Sequence, residues 1–90
     1  MSFNAATYRS AEVFLQFTDA GNSEYSCMKC NVTHDGAVAY GNVYGVTNTA
    51  AETTDEVTVT FVYDSAVVYV KAAVTGGPVT GVAQYSLCAV

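Results

Sequence analysis

Apolar and polar residues alternate one by one along much of this chain, and a period of two commits it to strands, whose successive side chains point to opposite faces. Over 10–18, Ala11, Val13, Leu15 and Phe17 share one face opposite Glu12, Phe14, Gln16 and Thr18. Over 25–34, Met28, Cys30 and Val32 oppose Lys29, Asn31 and Thr33. The split is cleanest over 56–64, with Val57, Val59, Phe61 and Tyr63 set against Glu56, Thr58, Thr60, Val62 and Asp64. No useful window carries the i, i+3, i+4, i+7 stripe of a helix. Val, Thr, Tyr and Phe dominate the runs, and such residues suit a pleated, half-buried surface.

Turn residues punctuate the runs. Asp19-Ala20-Gly21-Asn22-Ser23 separates the first two, and His34-Asp35-Gly36 the second from the third. Asp-Gly between alternating segments marks a tight hairpin, because glycine accepts positive φ. Asn48–Asp55 reads as a longer polar loop, Asp64-Ser65 as a short turn, and Thr75-Gly76-Gly77-Pro78 as the lead into a last strand over 79–89. Gly41 and Gly45, inside the third strand, read as bulge or close-approach positions. The expected fold is all-β: an antiparallel meander closing into a β-sandwich or small barrel of about six to seven strands. Residues 10–90 form one domain in this reading, and residues 1–9 an N-terminal arm.

Two segments depart from clean alternation. Over 66–74, Ala66, Val68, Val70, Ala72 and Val74 lie on one face, while Val67, Tyr69 and Ala73 make the other apolar too. Such a strand is either central and covered on both sides or meets another subunit with its second face. Phe14 and Val62 sit on nominally outer faces, and Phe3 and Tyr8 precede the first strand with no evident place in the sheet. The outward set Phe14, Val62, Val67 and Tyr69, with Phe3 and Tyr8 of the arm, is therefore the candidate interface.

Charge narrows the partners. The 90 residues include three Lys+Arg, eight Asp+Glu and one His, a net charge of −5. Charged residues are 12% of the chain, about half the ~25% of ordinary soluble domains. A sequence pI of 4.3 excludes a nucleic-acid binder that works by neutralising phosphates. No basic and apolar leader follows Met1, so no signal peptide is expected. The apolar stretch 66–70 is far shorter than the ~20 residues of a membrane span, and no membrane partner is expected. Surface scaling gives a folded area of ~5,000 Å² against ~13,600 Å² for the extended chain, enough for a modest core without disulfides or metal.

The chemistry-bearing residues are few. Cys27-Met28-Lys29-Cys30 is a C-x-x-C, and with His34 and Cys88 it offers four potential metal ligands. On a strand, however, residues three apart point to opposite faces, and Cys30 falls on the apolar one. No βαβ pattern accompanies the motif, as a thioredoxin-like site requires. His34 is expected to hydrogen-bond across its turn, with no nucleophile in a strong context beside it. Asp19, Glu24, Asp35, Glu52, Asp55, Glu56 and Asp64 lie in or beside loops, and Glu12 lies on a polar strand face; none forms a calcium or phosphate loop. No catalytic residue, cofactor or metal is assigned. Tyr40 and Tyr44 share one face and offer an aromatic platform for a carbohydrate.

Tyr8-Arg9-Ser10-Ala11-Glu12-Val13-Phe14-Leu15-Gln16-Phe17-Thr18-Asp19, then Tyr25, His34-Asp35-Gly36-Ala37-Val38-Ala39-Tyr40 and Tyr44-Gly45 together resemble a small β-rich virion structural module of tailed bacteriophages, frequent in marine phages and cyanophages. Its pattern is a first strand ending in V-T-D, a second ending in H-[DN]-G-T-x-A-Y, and a following E-Y-G. The similarity spans nearly the whole chain through short turn motifs. Asn42-Val43 stands where an acid would precede Tyr44, and Cys27 and Cys30 lie outside the pattern. The resemblance implies a non-enzymatic virion component, made in the host cytoplasm. The expected function is capsid decoration (cement), with a homo-oligomer binding a major capsid or other virion protein. A tail, neck or fibre module and a small carbohydrate-binding sandwich are the alternatives.

Overall fold

The structure, a computed structural model, describes residues 1–49, 56–76 and 78–90. The polar loop expected over 48–55 lies outside these from residue 50 on, as do Glu52, Asp55 and Gly77. Among the described residues seven strands form: β1 (Ser2–Asn4), β2 (Tyr8–Asp19), β3 (Glu24–His34), β4 (Ala39–Asn48), β5 (Glu56–Asp64), β6 (Val67–Thr75) and β7 (Thr80–Ala89). They make two antiparallel sheets, a three-stranded one in the order β1-β6-β5 and a four-stranded one in the order β4-β3-β2-β7. The sheets pack face to face as a β-sandwich. Only β2–β3–β4 and β5–β6 are consecutive neighbours; the chain changes sheet after β1, β4 and β6. The expected meander is thus broken by three crossings.

The alternating residues become the core. Ala11, Val13, Leu15 and Phe17 of β2 face Met28, Cys30 and Val32 of β3 across the ladder, and all are buried. Val68 and Val70 cap them from the other sheet. β6 is the central strand of its sheet; its even-numbered residues point inward, and Val67, Tyr69 and Ala73 form the outer face.

The expected N-terminal arm over 1–9 meets a different arrangement. Ser2–Asn4 pair with Tyr69–Val67 as a sheet strand, the Met1 ammonium donates to the Val70 carbonyl at 3.0 Å, and β2 already begins at Tyr8. Phe3 is buried in the core at 5% exposure. An aromatic and a methionine at alternate positions fill the inter-sheet space, which offsets the ordering cost that leaves most termini frayed.

One end of the sandwich is closed by His34. Its ring is buried, with Nε2 2.8 Å from the Tyr8 carbonyl, while the Gly36 N–H donates to Nδ1 at 3.0 Å. A neutral ring carrying its proton on Nε2 satisfies both partners. Phe3 and Tyr63 flank the ring at centroid distances of 6.4 and 5.7 Å. The expected hydrogen bond across the turn is this one. The turn itself is longer than a two-residue hairpin: Asp35 Oδ1 accepts the N–H groups of Ala37 and Val38 at 2.9 and 2.8 Å, with Gly36 at φ 93°. Those two bonds hold the Asp35 carboxyl below its ordinary range.

Both expected special glycines are used. Gly45, at φ 64°, sits where the β3–β4 register shifts between Cys27 and Lys29, the signature of a bulge with a left-handed glycine. Gly41 lies under the Phe61 ring, where a Cβ would approach ring atoms to 2.7 Å. That close approach seats β5 on β4.

Candidate assembly surface

The sandwich is elongated, 41 × 20 × 16 Å, and its radius of gyration is 14.0 Å, against about 12 Å for a compact chain of this length. Its accessible area of 5358 Å² exceeds the ~5,000 Å² of the scaling rule. Cover of the larger sheet is incomplete. Three strands cannot blanket four, and β1 pairs only along Val67–Tyr69 of β6. Away from His34 the sheets gape. A cleft of about 330 Å³ opens there between Phe17, Met28, Val43, Val46, Val57 and Val79. A second hollow of about 290 Å³ lies on the β7 side, between Val70, Ala72 and Val74 of β6 and Val79, Gly81 and Ala83.

The residues singled out in the sequence fall in three places. Phe3 is in the core, with Val68 opposite it and the His34 ring beside it. Tyr8 is partly buried and packs against the same core. Val62, Val67 and Tyr69 are brought together, half-buried, on the outer face of the three-stranded sheet, with Val62 directly opposite Tyr69 and the Lys71 ammonium 5.4 Å from the Tyr69 ring centroid. Phe14 lies on the outer face of the other sheet, in a row with Lys29 and Gln84. The candidate set is therefore divided between two opposite faces and the core.

The large apolar side chains the structure exposes lie elsewhere. Val38, Tyr40, Val43, Tyr44 and Val46 belong to β4 or its approach, and Val82, Tyr85 and Val90 to β7 or its end; Tyr25 opens β3 beside them. Tyr40, Val46, Val82 and Tyr85 are each more than half exposed, at 54, 55, 57 and 51%. β4 and β7 are the two edges of the four-stranded sheet. Neither carries a charged residue: none occurs from Gly36 to Asn48 or from Ala72 to Val90. Edge strands present a row of unpaired N–H and C=O groups, and soluble proteins blunt them with lysine, proline or brevity. Here both are ten residues long, and only β4 carries a bulge.

Cysteine chemistry finds no support in the geometry. Cys30 points inward with no exposure, and burial pushes its thiol up from the ordinary value. Cys27, an odd number of residues away, lies on the outer face opposite Gln16, and Cys88 lies opposite Ser10. Six residues of β2 separate those two rows, about 20 Å along a strand, far beyond the reach of a disulfide. Among the described residues no three of His, Cys, Asp or Glu converge on one point. Comparison with protein-family models, curated proteins and solved structures finds no match for the chain.

The outer face of the four-stranded sheet is a polar ladder. Asn42, Asn31, Glu12 and Ser86 stand side by side across it, next to the row of Tyr44, Lys29, Phe14 and Gln84. Tyr40 and Tyr44 share this face. Tyr40 is tethered through its hydroxyl, which donates to Asp35 at 3.3 Å.

Proposed function

We propose that the chain is a non-enzymatic structural subunit, a virion component of the capsid-decoration kind, that works by adhesion. One observation supports this reading above the others: the exposed apolar surface is concentrated on two long, charge-free edge strands. A free monomer with such edges is poorly protected against association, whereas a subunit that meets neighbours there uses them. Among the described residues the charges lie off these two strands, so a net −5 keeps the unassembled chain soluble without obstructing the contact. In a symmetric assembly a modest interface is repeated, and small contacts sum. The residues offered for adhesion are Tyr40, Val46, Val82 and Tyr85, with Val62, Val67 and Tyr69 as a second apolar face for the shell.

Mass spectrometry of purified particles tests the reading. The chain is expected among the virion proteins at a copy number commensurate with the shell; absence from the particle refutes it. A tail or neck position would give the same presence at far lower copy number. The exposure of Tyr40 and Tyr44 on one face with Asn42 between them favours a second reading, a glycan-binding sandwich. A glycan array in which binding is lost in Tyr40→Ala and Tyr44→Ala would replace the structural reading with that one.

A further inference from the structure

We infer that copies of this chain join head to tail, the β7 edge of one sandwich pairing antiparallel with the β4 edge of the next. The inference rests on the structural-subunit reading for its purpose and on the sheet for its geometry. Every neighbouring pair in the four-stranded sheet is antiparallel. With four strands, β7 runs opposite to β4. A second copy displaced along the sheet therefore brings its β4 alongside β7 in the antiparallel sense, with its smaller sheet on the same side. Both edges are ten residues long, about 33 Å each, so neither overhangs the other.

Matched length and strand sense select a second copy as the occupant, and charge permits it. Two chains of net charge −5 repel wherever their acids approach, and like charges set opposite each other across a ladder destabilise it. The two edges of the larger sheet are the long strands free of that penalty. The hollow between β6 and β7 adds an independent reason. It opens on the β7 side and is lined by Ala72 and Val74 on one wall and Val79 and Ala83 on the other. A neighbour whose β4 continues the sheet carries its β5, seated on β4 by the Phe61–Gly41 contact, over that hollow. One contact then covers both free edges and the open flank. Self-pairing of β7 with β7 would instead leave β4 exposed on both outer ends. A head-to-tail contact closes into a ring where its rotation allows, and otherwise extends as a filament.

Two charge-blocked variants test the inference. Ala83→Lys with Tyr85→Lys blocks β7, and Val43→Lys with Val46→Lys blocks β4; all four side chains are exposed in the free chain, so circular dichroism should show each variant folded. An inward-pointing charge on an edge forbids burial against a neighbour. Light scattering and mass photometry should show the unaltered chain as a species larger than a dimer and each variant as a monomer. Mixed one to one, the variants should form a dimer that grows no further, since one retains β7 and the other β4. Amide exchange should show both edges of the unaltered chain protected as concentration rises. A dimer formed by the β4-blocked variant alone would establish β7 self-pairing and overturn the inference, as would an unaltered chain that stays monomeric. Failure of the particle reading is separate: complementary variants that dimerise, from a chain missing in virions, leave the head-to-tail contact standing.

Discussion

Replacing Gly41 with alanine puts a methyl group where Phe61 already sits. The added Cβ would lie 2.7 Å from Cδ1, Cδ2 and Cε1 of that ring, well inside the ~3.5–4.0 Å optimum for two carbons. Phe61 cannot simply swing away, because it packs against the core from β5. Overpacking of this kind costs about 1–3 kcal/mol. Alanine in a strand interior recovers about 0.5–1 kcal/mol of the backbone entropy that glycine loses on folding. The net expectation is a loss of about 1–2 kcal/mol, which for a domain of this size lowers Tm by about 4–16 °C. Urea denaturation with an unchanged m-value would register it as a lower midpoint. The decisive measurement is the double-mutant cycle. In the Phe61→Ala background the obstacle is gone, and Gly41→Ala should become neutral or stabilising, leaving a coupling of at least ~1 kcal/mol. Equal losses in both backgrounds would show that the ring does not rest on Gly41, and that β5 is held over β4 by something else.

Three further outcomes follow from the described geometry. Ser65 and Ala66 hold φ of 52° and 63° in the β5–β6 hairpin, so Ser65→Asn with Ala66→Gly should raise stability by about 1 kcal/mol, or ~4–8 °C in Tm; an unchanged melt would refute the left-handed pair. Because the Ala37 and Val38 N–H groups hold the Asp35 carboxyl below its unfolded value, its stabilisation is complete above the unfolded carboxylate range and fades as pH falls through the lower folded value. Carbon-detected titration should place the Asp35 midpoint below that of an unstructured peptide, and Asp35→Asn should remove its share of the acid dependence of stability. Under native conditions a maleimide should label Cys88 first, Cys27 more slowly and Cys30 only on unfolding; an internal Cys27–Cys88 bond formed in the folded state would contradict the β2 register.

The alternation made β2, β3 and β5 legible together with their inward faces, because a period of two is a local property of the chain. The roles of Gly41 and Gly45 were legible for the same reason: glycine inside a strand pattern marks a missing side chain or a reversed φ. β1 was not legible, since three residues are too few to show a period and Phe3 acquires meaning only once Val68 and His34 lie beside it. The exposed apolar set of β4 and β7 was not legible on the same account. The period of a strand shows which residues point outward, but exposure of Val82 and Tyr85 depends on β7 being an edge, and strand order is fixed by pairings far apart in sequence. The charge-free tracts of β4 and β7 were visible throughout; only the sheet order shows that both are edges.

The His34 clasp also fixes an order of events in folding. Its ring joins Tyr8, Gly36, Phe3 and Tyr63, groups that enter from β1, β2, the β3–β4 turn and β5. Loop-closure entropy must be met before such distant contacts return any stabilisation. The β2–β3 and β5–β6 hairpins therefore form early, and the closed end is completed only when both sheets have docked. Until then the apolar inner faces, Val13 and Cys30 on one sheet and Val68 and Val70 on the other, stay open, and the docking that brings Phe3 and Tyr63 onto the His34 ring ends the interval in which those faces can meet the wrong neighbour.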